Sequence, residues 1–216
     1  MKKAEREIFL QQKLIEMKRY ETALYQQGAI FVAGVDEVGR GPLAGPVVAA
    51  SVILPPDFQV LGVDDSKKLS EKKRNELAGL IREAAVAYGI GMCNEKVIDE
   101  INILEATKLA MKEAIHESER MLGATVDHIL LDAVRLKDLP RPQTPIIHGD
   151  CLSVSIAAAS IIAKVTRDAM MAEYGLIYPQ YCFEQNKGYG TEAHYRGIAE
   201  AGLCKIHRRS FLKKYL

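Results

Sequence analysis

The sequence predicts an α/β fold in one domain, with a mixed β-sheet flanked by helices. Two observations support this prediction. Five short apolar segments alternate with segments of helical periodicity, in an order that gives three strands with one helix between them, then helix, strand, strand and helix. The chain has 216 residues, of which 48% are hydrophobic, and this is the length and composition of one globular domain.

The first 28 residues predict one amphipathic helix that forms an extension outside the domain. Apolar side chains recur on one face of this segment and leave the other face charged, and Gly28 is a typical helix stop. With six Lys or Arg residues against four Glu, the segment is not a polybasic arm. We therefore divide the chain into an N-terminal helical extension, 1–28, and a main domain, 29–216, that ends in a helical and basic region.

The domain begins with a predicted hairpin. An apolar run at 30–38 is followed by a Gly-Arg-Gly-Pro turn and a second apolar run at 47–54, which is typical of two antiparallel strands. A third strand is predicted at 88–93, after a helix at 70–87 that Ser70 caps.

The second half of the domain alternates helices with short strands. It starts with a helix at 102–122. Four large apolar residues of this helix are expected to be buried, namely Leu104, Leu109, Met111 and Ile115. The remaining predicted elements are two strands and two helices, at 128–132, 146–148, 152–174 and 191–201. The first of these two helices is apolar nearly all round, so we expect it in the core.

The charge balance excludes a protein that is strongly basic throughout. The chain carries 29 Lys or Arg residues and 28 Asp or Glu residues, for a net charge of +1. No apolar run approaches the roughly 18–20 residues that span a bilayer, and the charged N-terminus does not resemble a signal peptide. The four cysteines are widely spaced, so we expect reduced thiols. Together with the lack of a long apolar run, this predicts no membrane partner and a cytoplasmic location.

Four acidic residues end or follow predicted strands, where a charge is costly unless something neutralises it. Asp36 and Glu37 end an apolar strand, Asp132 ends another, and Asp150 follows the last one. Carboxylates that converge at one edge of a sheet offer the hard oxygen ligands that suit Mg²⁺ or Mn²⁺. Acids paired with arginine for structural reasons are the alternative interpretation.

The adjacency of Asp36 and Glu37 requires a distortion if both serve one site. Neighbouring residues on a regular strand point to opposite faces of the sheet. The glycines that follow predict a bulge or a chain turn at this point.

Two short segments carry residue types that contact phosphate. Gly39, Arg40 and Gly41 offer unshielded backbone N–H groups and one guanidinium, although a tight turn also uses glycines. Lys67 and Lys68 precede a helix, in a loop that an ordinary solvated surface explains equally well.

Two further features suit a nucleic acid. Tyr189 lies between two glycines, where a tyrosine either stacks on a sugar or base or packs in a surface turn. The C-terminal tail, 205–216, has no acidic residue, which fits contact with a nucleic-acid backbone or an ordinary solvated terminus. Its basic residues are Lys205, Arg208, Arg209, Lys213 and Lys214.

These segments together resemble the bacterial ribonuclease HII family. The matching motifs are G-V-D-E-V-G-R-G-P-L-A-G-P-V at 34–47, D-S-K-K-L at 65–69, I-A-A-A-S-I-I-A-K-V-T-R-D at 156–168, Y-P-Q-Y at 178–181, N-K-G-Y-G-T at 186–191 and H-R-R-S-F at 207–211. The match runs in order through the whole predicted domain. The sequence departs from many members at Ala133, where they have glycine, and at His148, where they have lysine.

The resemblance implies a ribonuclease H-like fold and divalent-metal hydrolysis of the RNA strand of RNA–DNA hybrids. It also implies incision 5′ of single ribonucleotides embedded in duplex DNA, with 3′-hydroxyl and 5′-phosphate products. The metal-binding and catalytic set carries over to Asp36, Glu37, Asp132 and Asp150, with Mn²⁺ or Mg²⁺ as cofactor. The substrate contacts carry over to Gly39, Arg40, Gly41 and Tyr189, and to Lys67 and Lys68 at positions that contact phosphates. We expect a monomer.

Two other functions fit part of the pattern. A metal-dependent phosphoryl hydrolase of another class would share the carboxylates without needing the basic tail. A module that binds hybrids without cleaving them would keep the basic elements without needing the acids. The joint occurrence of the acids and the glycine loops favours the nuclease.

Overall fold

The computed structural model describes residues 3–215, and its five strands form one mixed sheet. The strands are β1 (Val32–Val38), β2 (Val47–Ile53), β3 (Ala87–Cys93), β4 (His128–Asp132) and β5 (Gln143–Ile146). Their order across the sheet is β3-β2-β1-β4-β5. The central strand β1 runs antiparallel to β2 and parallel to β4. The predicted mixed five-stranded sheet and its opening hairpin are therefore confirmed.

Helices cover both faces of this sheet. They are α1 (Lys3–Met17), α2 (Arg19–Gln26), α3 (Glu71–Ala84), α4 (Glu95–Leu122), α5 (Gly149–Leu152), α6 (Val154–Ile177), α7 (Phe183–Asn186) and α8 (Glu192–Ala201). Helix α4 packs on one face, and α6 with α3 packs on the other. Gly34 of β1 allows α6 to approach closely, since a Cβ there would lie 2.1 Å from the backbone carbon of Ser155. Within residues 3–215, no helix combines the length and apolar composition that a bilayer crossing requires.

The N-terminal segment is two helices rather than one. Helices α1 and α2 meet at Lys18. Leu14 and Met17 are buried with side chains of α3 and α6, so the segment packs on the second core layer. Met1 and Lys2 of the predicted extension and Leu216 of the tail lie outside the described residues.

Of the four residues predicted to be buried on the helix at 102–122, two are buried and two are exposed. Met111 and Ile115 are buried, but Leu104 and Leu109 are 41% and 47% exposed. The reason is the partner strand, because β3 presents glycines to α4. A Cβ on Gly89 would lie only 2.2 Å from a backbone oxygen of α4. Such close approach places alanines of α4 against the glycines of β3, and Leu104 and Leu109 lie away from this contact.

The last predicted strand is displaced along the sequence. Strand β5 ends at Ile146, and His148 adopts a left-handed conformation with φ 58° at the start of α5. Asp150 therefore lies in a short helix, four residues beyond the end of the strand. The chain turns at His148, beyond the last residue of β5 that pairs with β4.

Candidate active site

Three of the four predicted carboxylates lie where two parallel strands end. Val35 of β1 pairs with Leu131 of β4, so the next residues of the two strands, Asp36 and Asp132, are neighbours at the same edge. Glu37 follows at this edge. The parallel pairing of β1 with β4 thus brings together acids that are nearly a hundred residues apart in the chain.

Of the bulge or chain turn predicted at these acids, the structure has the chain turn and no bulge. Asp36 pairs with Ala50 and Glu37 with Ala49 in an unbroken antiparallel register. The chain turns only after the strand, at Gly39, which has φ 97°.

The two adjacent acids consequently leave opposite faces of the sheet. Asp36 shares the face of Gly34, against α6, and is 4% exposed. Glu37 shares the face of Val35, against α4. Since both lie at the end of the strand, they still surround one edge, and Asp132 acts on the pKa of each.

The carboxylates repel one another in a site that is largely dry. Burial, and then the neighbouring Glu37, hold the pKa of Asp36 well above its usual value. Burial also raises the pKa of Glu37, although Arg40, whose Nη1 lies 3.5 Å from Glu37 Oε1, opposes the rise. Burial raises the pKa of Asp132, and Asp150 adds to that rise. A cation placed among these groups would relieve both the burial and the repulsion.

The donor set fits a hard divalent cation. All four groups are carboxylates, the ligands that Mg²⁺ and Mn²⁺ prefer. Glu37 Oε2 is buried without a hydrogen-bond partner among the described residues. An orphaned anionic oxygen at such an edge has the chemistry of a metal ligand.

The short helix α5 holds Asp150 close to the carboxylate edge. Gly149 N donates to Asp132 Oδ1 at 2.7 Å, which ties the start of α5 to the end of β4. Asp150 is 6% exposed, and Lys67 Nζ lies 3.7 Å from its Oδ2. Although burial lowers the pKa of Lys67, Asp150 and other nearby carboxylates raise it overall. Lys67 therefore lies against the acids in this structure.

The most compact set of potential metal ligands includes two residues that the sequence did not suggest. Within residues 3–215, Asp65, Asp150 and Cys151 form the one group of three whose ligand atoms lie within 4.8 Å of one another. Asp65 Oδ1 accepts from Lys67 N at 2.9 Å, and Lys68 Nζ donates to Cys151 Sγ at 3.1 Å. The short turn Ser66–Lys68 thus lies beside Asp150.

The 39–46 loop joins β1 to β2 and meets the loop that carries Tyr189. A Cβ on Gly41 would lie 3.6 Å from Tyr189 Cε1. Leu43 N donates to Gly188 O at 2.8 Å and holds the two loops together. Gly41 and Arg40 are exposed, and Tyr189 is 43% exposed. The structure therefore brings the predicted glycine loop and the tyrosine together beside the carboxylate edge.

Two buried arginines support this loop, and neither role was predictable from the sequence pattern. Arg208 is predicted to contact nucleic acid with the rest of the basic tail, but this is wrong because it is fully buried. Lys205, Arg209, Lys213 and Lys214 are exposed as expected. Arg167 is also fully buried. The available signal for Arg167 was its place on a helix that is predicted to lie in the core.

Comparison with known proteins gives one consistent family. A family model described as Ribonuclease HII matches residues 33–214. Ribonuclease HII of Listeria innocua is 56% identical over 210 residues, which are 97% of this chain and 78% of that protein. Ribonuclease HII of Caldanaerobacter subterraneus subsp. tengcongensis is 52% identical over 212 residues, which are 98% of this chain and 85% of that protein.

Solved structures agree on the fold. The ribonuclease H2 from Pyrococcus horikoshii OT3 is similar with a TM-score of 0.66 at 26% identity, over 83% of this chain and 93% of that one. Bst-RNase HIII, solved in complex with Mn²⁺, has a TM-score of 0.63 at 22% identity, over 83% of this chain and 65% of that one. The ribonuclease H-like fold implied by the resemblance is thus confirmed. Enzymes of the ribonuclease H family depend on divalent metals. The chain belongs to the ribonuclease HII family, hydrolases that cleave RNA in RNA–DNA hybrids.

Proposed function

We propose that this enzyme incises duplex DNA on the 5′ side of a single embedded ribonucleotide, in addition to cutting longer RNA–DNA hybrids. The products are a 3′-hydroxyl and a 5′-phosphate. The observation that carries this proposal is the position of the exposed residues Arg40, Gly41 and Tyr189 directly beside the carboxylate edge. Such a layout places groups that recognise a sugar next to groups that hold a metal, as removal of a ribonucleotide from DNA requires.

We assign the divalent cation, Mg²⁺ or Mn²⁺, to Asp36, Glu37, Asp132 and Asp150. When bound, it lowers the pKa of water and stabilises charge on the leaving oxygen of an in-line displacement. The Mn²⁺ complex of Bst-RNase HIII is a property of that protein, and it supports trying Mn²⁺ here. The carboxylates themselves remain ionised in this role, because the cation replaces the water that burial removes.

Recognition of the ribonucleotide depends on its 2′-hydroxyl, the group that separates RNA from DNA at one position. We assign that contact to the backbone of Gly39, Arg40 and Gly41. Gly41 is exposed, and its lack of a side chain leaves room for a sugar. Tyr189 then stacks on the adjacent deoxyribose and reports the junction between RNA and DNA. Its exposure and its contact with Gly41 suit this role.

Lys67 and Lys68 contact backbone phosphates in this proposal. Lys67 is largely exposed but lies against Asp150, so binding a phosphate requires its ammonium group to leave that carboxylate. Lys68 lies against Cys151 and is also largely exposed.

The remaining parts of the proposal concern the whole molecule. Residues 29–216 form the catalytic domain and 1–28 an extension that packs on it. The enzyme acts as a monomer in the cytoplasm during ribonucleotide excision repair. The four cysteines are free, which suits a reducing compartment.

The test uses a duplex DNA with one ribonucleotide and a label at the 5′ end of the strand that contains it. The enzyme is incubated with Mg²⁺, with Mn²⁺ or with EDTA, and the cut is mapped at nucleotide resolution. We expect a single metal-dependent cut 5′ of the ribonucleotide and no cut in an all-DNA duplex. Hydrolysis of a small phosphate ester without cleavage of the duplex would support a phosphoryl hydrolase instead. Tight metal-independent binding without any cut would support a binding module.

A further inference from the structure

We infer that Arg208 is a specificity-determining positioning residue, which turns the backbone N–H groups of Arg40 and Gly41 outward to bind the 2′-oxygen of the ribonucleotide. This inference rests on the proposed function and deepens it. Arg208 itself does not touch the substrate, because it lies beneath the loop and is fully buried.

The guanidinium of Arg208 holds the loop by its carbonyl groups. Its Nη2 donates to Gly39 O at 2.6 Å, its Nη1 to Arg40 O at 3.1 Å and its Nε to Gly45 O at 2.9 Å. A planar guanidinium fixes several acceptors at once, which a lysine ammonium does not. The carbonyls at both ends of the loop thus point into the protein.

The direction of these carbonyls fixes the direction of two N–H groups. In a trans peptide, the C=O of one residue and the N–H of the next point opposite ways, and the loop contains only trans peptides. An inward carbonyl on Gly39 therefore turns the N–H of Arg40 outward, and an inward carbonyl on Arg40 does the same for Gly41. Neither N–H has a hydrogen-bond acceptor in the part of the chain that the structure describes. Two adjacent donors are left for an oxygen of the substrate.

Arg167 extends the same support to the tyrosine loop. Its Nε donates to Pro46 O at 2.8 Å, its Nη2 to Ala44 O at 3.1 Å and its Nη1 to Lys187 O at 2.9 Å. A Cβ on Gly39 would lie 2.3 Å from Arg167 Nε, so the loop rests directly on this guanidinium. Arg167 therefore links the outward N–H groups to the segment that carries Tyr189.

The charges around Arg167 and Arg208 indicate that these side chains serve to hydrogen-bond the loop rather than to fill space. Neither guanidinium has a carboxylate partner within residues 3–215. Burial, and then the neighbouring Arg167, lower the pKa of Arg208 to about 9. An apolar side chain would fill this space without the cost of burying two like charges. What the arginines add is six donors aimed at backbone carbonyls.

The experiment measures binding in an Asp36→Asn background, which is expected not to cleave. Two labelled duplexes are compared, identical except that one contains a single ribonucleotide, and the ratio of their dissociation constants is the readout. Adding Arg208→Met should lower the preference for the ribonucleotide by about tenfold, the effect of losing one well-placed hydrogen bond. Affinity for the all-DNA duplex should stay unchanged.

Arg209→Met is the matched control, because Arg209 is the exposed neighbour in the same tail. It should leave the ratio unchanged, even if it weakens binding of both duplexes. An equal loss of affinity for both duplexes in Arg208→Met would overturn the inference, since it indicates a phosphate contact or a general structural role. An unchanged ratio would overturn it as well.

A second variant covers the case in which Arg208→Met does not fold, as judged by its circular dichroism and melting curve. Arg208→Lys keeps the charge but loses the planar set of donors, so it should lower the ratio by a smaller factor, and an unchanged ratio would overturn the inference. Absence of any preference in the Asp36→Asn background alone contradicts the proposed function and the inference with it. A preference that both Arg208 variants retain contradicts the inference alone.

Discussion

His194 and His207 face each other in the protein interior, with their Nε2 atoms 2.9 Å apart. The hydrogen bonds of the two Nδ1 atoms determine which ring carries the proton between the Nε2 atoms. His194 Nδ1 lies 2.9 Å from Tyr189 O and must donate to it, whereas His207 Nδ1 accepts from Cys204 N at 2.9 Å. Neutral His207 therefore donates through Nε2 to neutral His194. This chain of hydrogen bonds links the backbone of Tyr189 to the C-terminal tail.

Acid should weaken the protein through this pair. Burial, and then His194, lower the pKa of His207 to about 4, whereas histidine in an unfolded chain keeps its ordinary pKa of 6.5. Between these values the unfolded state holds more protons, so the free energy of unfolding falls as the pH falls. We expect a loss of roughly 1–3 kcal/mol between about pH 7 and pH 4.5 from this residue.

Urea unfolding of the wild type and of His207→Gln at several pH values isolates this contribution. Other titrating groups are common to both proteins, and glutamine does not titrate. The wild type should lose more stability than the variant as the pH falls. Parallel curves would show that His207 is not buried in its neutral form.

Ala133 carries backbone strain next to Asp132. Its φ of 52° lies in the left-handed region, where a Cβ is disfavoured. Ala133→Gly should raise the free energy of unfolding by about 0.5–1 kcal/mol, because relief of strain exceeds the entropy that glycine loses. Ala199→Gly, at an exposed position inside α8, should lower it by about 1 kcal/mol. A loss of stability in both variants would refute the strain at Ala133.

Glu21 attaches the N-terminal helices to the start of α6. Its Oε1 accepts from Ser153 Oγ at 2.5 Å and from Ser155 N at 3.0 Å, and the residue is 2% exposed. Glu21→Ala leaves these donors unpaired in the interior and should cost roughly 1–3 kcal/mol of unfolding free energy. Glu16→Ala, an exposed site on α1, should change it by less than about 0.5 kcal/mol. Equal effects in the two variants would mean that the contact contributes no stability.

The sheet was predictable because its signals are local. Apolar runs bounded by glycine and proline located four of the five strands to within about two residues, and the short hairpin loop fixed their first pairing. The break between α1 and α2 was not predictable, because the apolar pattern continues across Lys18. The position of Asp150 was missed because His148 turns the chain through a conformation that its residue type does not announce.

The acidic residues of the site were predictable where they stand at the ends of strands. Asp36 and Asp132 meet because β1 and β4 are parallel, which the order of elements indicates. Arg208 was misplaced because a basic tail normally stays in water, and only the tertiary fold supplies three carbonyls to hold that guanidinium. Asp36 and Glu37 need no bulge to serve one site, because both faces of a strand are accessible at its end.

Tyr189 should matter most on a single ribonucleotide. Tyr189→Ala removes the ring that lies against Gly41, and we expect incision at a lone ribonucleotide to fall by about tenfold or more, the usual effect of losing one stacking contact. Tyr189→Phe keeps the ring and should remain close to wild type. Its backbone carbonyl still accepts from His194 in both variants. Equal incision by Tyr189→Ala and the wild type would remove Tyr189 from the recognition of the junction.

We propose that the carboxylate edge carries out metal-dependent incision at a ribonucleotide. Asp36→Asn is nearly isosteric and removes one negative charge from this edge. With the single-ribonucleotide duplex and Mg²⁺ or Mn²⁺, we expect its cleavage rate to fall by about a thousandfold or more, while it still binds the duplex. Cleavage by Asp36→Asn at the wild-type rate would contradict the assignment of this edge as the active site.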